Sequence, residues 1–361
     1  MSRLLSTVSA ITFIAGTYAS ADVPKVVADI APIHSLVSRV MDGVGEPKLI
    51  VPNETSPHDY RLRPADAEAI EDANLVFWMG EGLTPWMERA LEALSNDTDI
   101  IEFLALEEST LLSFREGALF EAHDHSDHDD HDDHDDHDDH DDHDDHDDHD
   151  DHDKDHDDHD KDHDDHDKDH DDHDDHDDHD DHDDHAGHDH GEYDPHAWLS
   201  TNNAKTWLNV IAARLSSIDP DNAGAYFANA SEARGEMDAL DVEINTMLDP
   251  VRGGKFVVFH DAYQYFETVY DFPASGAISL GDASDPSAAR VAEIANRIKS
   301  ENIACVLSEP QFNAGLVKTV MGGTDATTEV IDPLGFGIEP GKSLYPKLIR
   351  AMAQSLVNCL K

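Results

Sequence analysis

Basic side chains are scarce in this sequence, which has 24 Lys and Arg against 81 Asp and Glu and a formal net charge of −57. Nucleic acids and anionic membrane surfaces are negatively charged themselves, so both classes of partner are excluded. No run of transmembrane length follows the first 21 residues, which predicts a soluble mature chain. The motifs His-Glu-x-x-His and Gly-x-Ser-x-Gly are absent, so two common hydrolase sites are excluded. An acidic chain of this kind attracts cations.

The first 21 residues have the features of a secretory signal peptide. Arg3 provides a basic start, an apolar segment follows over Leu4–Tyr18, and Ala19–Ala21 forms an Ala-x-Ala cleavage site. We therefore predict export and cleavage after residue 21. Cys305 and Cys359 then lie in a compartment where disulfides persist. A disulfide between them is the favoured prediction, and two buried thiols are the alternative.

Most of the negative charge lies in one tract. Residues 122–191 contain 39 Asp, 3 Lys and 23 of the 27 His, so the tract carries −36 of the total −57. Its His-Asp-Asp repeats have almost no apolar side chain to bury, which predicts a disordered loop over residues 107–192 without metal. In an extended chain the histidines recur about every 9 Å, so metal binding must bend the chain. The tract is interpreted as a low-affinity metal collector or sensor, and a solubilising loop is the alternative.

Short apolar runs alternate with amphipathic segments on both sides of the tract, which predicts parallel strands covered by helices. About 290 residues remain outside the tract, enough for two domains. The fold class is therefore α/β, with two lobes that each have a parallel sheet covered by helices. The predicted strands are Lys25–Ile30, Lys48–Val51, Leu75–Met79, Asp99–Leu104, Lys255–Phe259, Gly276–Leu280, Ile303–Leu307 and Thr327–Ile331.

One predicted helix is too long for a typical crossover. Residues 222–248 lack proline, and their apolar side chains recur mainly every three or four positions, which predicts a single helix about 40 Å long. Such a helix suits a rigid spine that joins two lobes. The predicted domains are a signal peptide at 1–21, a first lobe at 22–219 that contains the loop 107–192, a linking helix at 220–249 and a second lobe at 250–361.

Four histidines lie outside the tract, and three of them occupy strand ends or helix starts. His58 follows the strand that ends at Val51, His196 comes just after the tract, and His260 follows the apolar run Phe256–Phe259. Ligands bind beyond the carboxyl ends of parallel strands, where such loops collect. A single histidine at such a place is more often hydrogen-bonded than a ligand. Three of them on one chain indicate a metal site in the cleft between the lobes.

Asp332 is the candidate for a fourth, oxygen donor, because it follows the predicted strand Thr327–Ile331. A water molecule and a tract histidine are the alternatives. His34, the remaining histidine, opens the first predicted helix and is interpreted as structural. Three imidazoles favour zinc over manganese because nitrogen is the softer ligand, although copper or nickel would bind as well.

Three motifs resemble those of the periplasmic zinc-binding proteins of ABC transporters, the ZnuA-like family of solute-binding proteins. They are Ser-Pro-His-Asp-Tyr-Arg-Leu-Arg-Pro-Ala-Asp at Ser56–Asp66, Asp-Pro-His-Ala-Trp-Leu-Ser at Asp194–Ser200 and Val-Phe-His-Asp-Ala-Tyr at Val258–Tyr263. Segments Ser308–Phe312 and Ile331–Gly335 are similar as well. The resemblance covers essentially the whole mature chain, including an acidic His-rich insertion between the first and second motifs.

The resemblance implies that His58, His196 and His260 bind Zn²⁺ in a cleft between two lobes joined by one long helix. It also implies a periplasmic location, delivery of zinc to an inner-membrane ABC permease, and a disulfide between the equivalents of the two cysteines. One departure concerns Pro57. Some members have Glu at this position, immediately before the first histidine, so the choice of a fourth ligand stays open.

Two other functions share these sequence features. Zinc held by three histidines with an open fourth position is also the arrangement of a catalytic zinc that activates water in a hydrolytic enzyme. Dozens of flexible chelating residues bring no advantage to a hydrolase, however, and no general acid or base is recognisable. A periplasmic zinc buffer without a transporter is the other alternative. The predicted function is a monomeric, non-enzymatic solute-binding protein that captures Zn²⁺ for uptake.

Overall fold

The computed structural model describes residues 23–95, 98–115, 120, 193–279, 286–311 and 314–361. The predicted signal peptide and most of the predicted insertion lie outside these ranges. All the described residues belong to one folded unit, which contains both lobes. Among these residues, every helix is too short or too polar to cross a bilayer.

The first lobe is built on a four-stranded parallel sheet with the strand order β2-β1-β3-β4. Its central strands are buried along their whole length, as expected when helices cover both faces of a parallel sheet. Their continuous apolar runs, and not an alternation of polar and apolar residues, are the sequence feature behind this burial. The strands are β1 (Val26–Ala28), β2 (Lys48–Leu49), β3 (Leu75–Trp78) and β4 (Asp99–Glu102).

Among the described residues, four helices accompany the first sheet, and local signals begin each of them. The first three have a proline in their first turn, where its missing N–H leaves no hydrogen bond unmade. The fourth is capped by Ser200, whose hydroxyl accepts a hydrogen bond from Asn203 N at 3.2 Å. These helices are α1 (Ala31–Val40), α2 (Pro64–Glu71), α3 (Pro85–Leu94) and α4 (Thr201–Ile218).

The long helix α5 (Ala223–Leu248) has 26 residues and is followed by Asp249-Pro250, as the sequence predicts. One stripe of side chains at intervals of three and four is buried: Tyr226, Ala230, Ala233, Met237, Leu240, Ile244 and Leu248. This stripe packs against α1 and α4 of the first lobe and the C-terminal helix of the second. The helix therefore joins the two lobes.

The second lobe repeats the plan of the first, with a parallel sheet in the order β6-β5-β7-β8. Its strands are β5 (Phe256–His260), β6 (Ala277–Ser279), β7 (Cys305–Ser308) and β8 (Thr327–Val330). Its helices are α6 (Gln264–Tyr270), α7 (Ala288–Ser300), α8 (Ala314–Val320) and α9 (Leu344–Leu360). The predicted disulfide is confirmed: Cys305 on β7 is bonded to Cys359 on α9.

Helix α9 also reaches across to the first lobe. It packs against α1 and α5, and Tyr345 N donates a hydrogen bond of 3.0 Å to Ser35 Oγ on α1. Tyr345 Oη donates to Trp198 O at 2.8 Å, and Trp198 Nε1 donates to Pro333 O at 2.8 Å. Buried apolar side chains from both lobes consequently form one continuous cluster. The lobes share a core in addition to the linking helix.

The structure differs from the sequence prediction at the start of the insertion. Residues 107–115, which the sequence places in the disordered loop, are part of the folded unit. Ser113 forms an antiparallel bridge with Tyr193, and Leu112 O accepts a hydrogen bond of 2.8 Å from Asp194 N. We call Leu112–Arg115 together with Tyr193–Asp194 the insertion root. The composition of the tract does not reveal this root, because its contacts join residues that are far apart in the sequence.

Candidate metal centre

The three predicted histidines meet at one pocket beyond the carboxyl ends of the two sheets. His58 lies in the loop after β2, His196 lies between the insertion and α4, and His260 is the last residue of β5. The ring centroids of His196 and His260 are 5.2 Å apart, and those of His58 and His196 are 5.8 Å apart. Both lobes line the pocket: Ser56, Pro57, His58, His196, Trp198, His260, Glu309, Gln311, Pro333 and Leu334.

The Nε2 atoms of His196 and His260 lie 3.4 Å apart. Two nitrogens bound to one tetrahedral zinc ion, with Zn–N bonds of about 2.0–2.1 Å, are separated by about 3.3–3.4 Å. This pair therefore already has the spacing of neighbouring zinc ligands. Among the described residues, no group of three His, Cys, Asp or Glu side chains is arranged around a single metal position. A bound ion would use the existing pair and require a side-chain rotation to complete its coordination.

His196 is oriented by Asp194, two positions earlier in the chain. Asp194 Oδ1 accepts hydrogen bonds from the His196 backbone N–H at 2.9 Å and from His196 Nδ1 at 2.7 Å. Both side chains are buried, and burial raises the pKa of Asp194 to about 7, against the lowering effects of the His196 N–H and of Arg115. With Nδ1 as the donor, Nε2 keeps its lone pair for a metal ion.

Glu309 orients His260 in the same way from the neighbouring strand. Glu309 Oε1 lies 2.6 Å from His260 Nδ1, and both side chains are buried. Burial raises the pKa of Glu309, and the neighbouring His260 opposes this rise. Sequence reasoning missed the roles of Asp194 and Glu309, although both lie in the quoted motifs. The available signal for Glu309 was its place directly after Ser308, the last residue of β7.

The loop that carries His58 is braced by aromatic side chains. Trp86 Nε1 on α3 donates a hydrogen bond of 2.8 Å to Pro57 O, next to the histidine. Tyr60 Oη donates to Asp66 Oδ2 at 2.6 Å, and the Tyr60 and Trp86 rings have centroids 5.4 Å apart. The polar residues around His58 in its motif thus hold the loop in shape. Their contacts place His58 at the pocket, and its imidazole is the candidate metal-binding group.

Asp332 lies close to the pocket but is not among the residues that line it. Its Oδ1 accepts hydrogen bonds from Gln311 Nε2 at 3.1 Å and Leu334 N at 3.2 Å, and its Oδ2 accepts one from Phe336 N. The carboxylate therefore stabilises the turn that follows it, in which Gly335 has a φ of +86°. Its role as a fourth ligand stays a prediction.

His34 lies outside the pocket, among contacts of its own. Its Nε2 is 3.0 Å from Pro47 O, and Ser38 Oγ donates a hydrogen bond of 2.7 Å to His34 O. Burial lowers the pKa of His34, which favours the neutral imidazole. These contacts agree with the structural interpretation of this residue and make it a useful control for the other three histidines.

Comparison with known proteins gives consistent matches in sequence. The family model described as zinc-uptake complex component A, periplasmic (ZnuA) matches residues 26–359. The chain is 44% identical over 363 residues to the high-affinity zinc uptake system protein ZnuA of Brucella abortus (strain 2308), covering 100% of this chain and 99% of that protein. It is 42% identical over 343 residues to the protein of the same name from Paracoccus denitrificans (strain Pd 1222), covering 95% and 93%.

Solved structures share the fold. A crystal structure of ZnuA superposes with a TM-score of 0.65 at 20% identity, covering 94% of this chain and 100% of that one. A ZnuA deletion mutant with zinc bound gives the same TM-score and identity, covering 94% and 99%. At 20% identity these likenesses concern the fold alone. Because the family model spans almost all of the described chain and a relative aligns over its full length, this chain belongs to the ZnuA family, the periplasmic A components of zinc-uptake complexes.

Proposed function

We propose that this protein is the periplasmic zinc-binding component of an ABC uptake system. It captures Zn²⁺ between its lobes through His58, His196 and His260 and delivers the ion to an inner-membrane permease. The observation that carries the proposal is the convergence of three imidazoles, from three separate segments and both lobes, on one pocket. Family membership and full-length similarity to zinc-uptake proteins support the same function.

The electrostatics of the pocket favour a dication of zinc's type. The Nε2 atoms of His196 and His260 lie 3.4 Å apart, and each Nδ1 atom is hydrogen-bonded to a buried carboxylate. A cation placed between the two Nε2 atoms would be bound by both. In their ionised form Asp194 and Glu309 place negative charge behind the imidazoles, which strengthens both nitrogens as donors. Nitrogen donors favour zinc over manganese or magnesium, which prefer oxygen.

Water is the proposed occupant of the fourth coordination position. Both carboxylate oxygens of Asp332 already accept hydrogen bonds from the backbone N–H groups of Leu334 and Phe336, and Asp332 does not line the pocket. A histidine from the tract is the remaining alternative. X-ray absorption spectroscopy of the protein with one zinc equivalent counts the imidazole ligands. Three imidazole nitrogens and one oxygen are expected in the zinc coordination sphere, and Asp332→Asn should give the same spectrum.

Zinc titration of single variants tests the ligand set. His58→Ala, His196→Ala and His260→Ala each remove one nitrogen donor and should weaken the tightest zinc step by orders of magnitude. His34→Ala is the matched control, because it removes an imidazole that is bonded to Pro47 O instead. It should leave the tightest step unchanged. If His58→Ala and His260→Ala both bind zinc as the wild type does, the assignment of the site is wrong.

The insertion is proposed to act as a low-affinity zinc collector or sensor. Residues 122–191 supply 23 histidines and a net charge of −36, which concentrates cations. The insertion root ends at Asp194, two residues before His196. Ions collected by the insertion are therefore released close to the pocket. The repeats have no apolar residues with which to build a rigid site, and ordering a chain on binding weakens each site.

Transport, buffering and catalysis predict different results when the gene is deleted and when the zinc-loaded protein is assayed. Uptake requires that deleting the gene impairs growth when zinc is scarce, and that excess zinc restores growth. A strain that grows normally without the gene in scarce zinc would favour a buffer. The zinc-loaded protein should show no hydration or esterase turnover above free zinc, and turnover would favour the hydrolytic alternative. The protein is proposed to act as a monomer, which sedimentation measures.

A further inference from the structure

We propose that Arg115 is a positioning residue for the metal centre: from the insertion root it holds the segment that carries His260. The inference rests on the proposed function, since it concerns the same zinc site. Sequence reasoning placed Arg115 inside the predicted disordered loop, and no motif singles it out. In the structure it is a partly buried cation that links the first lobe to the second.

One guanidinium binds two carboxylates at this point. Arg115 Nε lies 3.0 Å from both carboxylate oxygens of Asp261, and Nη2 contacts Asp261 Oδ1. Nη1 donates to Glu267 Oε2 at 2.7 Å, and Nη2 donates to Glu267 Oε1 at 3.1 Å. The Arg115 side chain is 15% exposed and each carboxylate side chain is 5% exposed. Paired bonds of this kind fix direction as well as distance, which a surface ion pair does not.

The two carboxylates belong to the segment that carries a predicted ligand. Asp261 directly follows His260, and Ala262 N donates a hydrogen bond of 3.0 Å back to His260 O. Glu267 lies on α6, the helix that this turn begins. Arg115 therefore clamps both ends of the short connection from His260 to α6. The clamp comes from the first lobe, so it also fixes how the His260 segment sits against that lobe.

A second contact ties the same helix to the same root. Tyr265 Oη on α6 accepts a hydrogen bond of 3.0 Å from Leu112 N and donates one of 2.8 Å to Asp194 O. Asp194 is the residue that orients His196. The insertion root is thus connected to His196 through Asp194 and to His260 through Arg115. The 3.4 Å spacing of the two imidazole nitrogens depends on both connections.

Charge explains why the clamp needs an arginine. Asp261 and Glu267 are buried, and the nearby carboxylate of Asp194 adds to their mutual repulsion. Arg290 acts on Asp261 from a distance, but its own hydrogen bonds go to backbone carbonyls. Without Arg115 the two carboxylates lose their paired hydrogen bonds and turn away from each other toward water. This movement releases the turn after His260 and widens the arrangement of donors around the metal position.

Arg39 provides a matched control. It is also a partly buried arginine, with a side chain 11% exposed, and it also joins the lobes, through an ion pair with Glu236 and a hydrogen bond of 2.8 Å to Lys342 O. It lies near the end of α1, and neither of these partners is next to a predicted ligand in the sequence. A general loosening of the lobes would affect Arg39 and Arg115 variants alike. A positioning role belongs to Arg115 alone.

The test uses the full mature chain as wild type, Arg115→Gln, Arg115→Lys and Arg39→Gln. Two quantities are measured: the tightest zinc step by chelator competition, and the ligand-field spectrum of the first bound Co²⁺. Arg115→Gln should weaken the tightest zinc step by about tenfold or more, in the range found for groups that orient metal ligands, and alter the Co²⁺ spectrum. Arg115→Lys keeps the charge but not the paired bonds and should lie in between. Arg39→Gln should match the wild type in both.

The outcomes separate this inference from the proposed function. A folded Arg115→Gln protein with wild-type zinc affinity and Co²⁺ spectrum overturns the inference and leaves the function standing. Equal weakening by Arg39→Gln also overturns it. If Arg115→Gln does not fold, Arg115→Lys decides, and wild-type values in that variant overturn the inference. A wild-type protein without any tight zinc step instead overturns the proposed function, on which the inference rests.

Discussion

Two of the three histidines proposed as ligands have their other ring nitrogen held by a buried carboxylate. Asp194 and Glu309 each accept a hydrogen bond from an Nδ1 atom, at 2.7 Å and 2.6 Å respectively. These contacts hold the ring orientations of His196 and His260 before any ion arrives. Because the rings are already oriented, zinc binding costs less side-chain entropy, which strengthens the zinc complex. We therefore expect the two carboxylates to contribute to zinc affinity from behind the imidazoles.

Glu309→Gln tests the role of such a carboxylate. The amide can still accept a hydrogen bond from His260 Nδ1, but it lacks the negative charge that makes Nε2 a stronger donor. We expect the tightest zinc step to weaken by about 10- to 100-fold. Zinc titration with a competing chelator measures the change. Glu329→Gln, on the adjacent strand β8 and outside the pocket, is the control. Wild-type affinity in Glu309→Gln would show that the carboxylate does not support the site.

Among the secondary-structure elements, β7 and α9 bear on both stability and function. Strand β7 ends at Ser308, directly before Glu309, while its first residue is bonded to α9 through the disulfide. Helix α9 in turn packs against α1 and α5. The covalent link is at the end of β7 opposite to the pocket. It therefore secures the second lobe without touching the metal-binding residues.

Replacing both cysteines by serine tests whether the disulfide contributes to stability without affecting zinc binding. The disulfide closes a loop with a sequence separation of 54 residues. On the chain-entropy model such a loop stabilises the fold by about 4 kcal/mol, so Cys305→Ser with Cys359→Ser should lower the free energy of unfolding by about that amount. Urea denaturation measures it, and the reduced wild type should show the same loss. The tightest zinc step should be unchanged under native conditions. A loss of zinc affinity with little loss of stability would contradict this division.

The whole molecule is held together by more than its linking helix. Buried side chains from both lobes form one cluster, and α9 reaches from the second lobe to α1 of the first. An opening motion of the lobes would have to expose part of this apolar surface to water, which is costly in proportion to the area. Large closure of the lobes around the ion is therefore disfavoured, in contrast to receptors with flexible strand linkers.

Small-angle scattering of the metal-free and zinc-loaded protein measures closure. We expect nearly equal radii of gyration in a variant without residues 122–191, in which the insertion cannot obscure the lobes. Zinc-binding stoichiometry, determined on the same samples, serves as the control that the site is filled. A decrease of several ångström on loading would show that the shared core does open.

Deleting residues 122–191 also tests the division between collector and pocket. The deletion should remove several weak zinc equivalents, keep the tight one, and impair uptake mainly when zinc is scarce. Calorimetric zinc titration counts the equivalents. A variant with every tract histidine replaced by asparagine is the matched control, because it keeps the tract's charge of −36 but not its imidazoles. Loss of the tight step on deletion would mean that the tract supplies a primary ligand.

Local sequence patterns were sufficient to predict the elements of this fold. Each of the eight predicted strands overlaps an observed strand, and the predicted helix 222–248 differs from α5 by one position. Apolar periodicity, prolines and strand-end positions are properties of neighbouring residues, so the sequence shows them directly. The same kind of signal placed His58, His196 and His260 beyond the strands, where the structure brings their side chains together.

Only the tertiary structure decided which polar side chains work together. Glu309 behind His260, Arg115 between Asp261 and Glu267, and the direction of the Asp332 carboxylate all depend on contacts between distant segments or on a choice of rotamer. Residue type and spacing along the chain do not determine such contacts, because several partners of suitable charge are available to each group. The sequence by itself determined the architecture, the disulfide pair and which histidines lie at the pocket. Packing of the two lobes determined how the histidines are oriented and what holds them there.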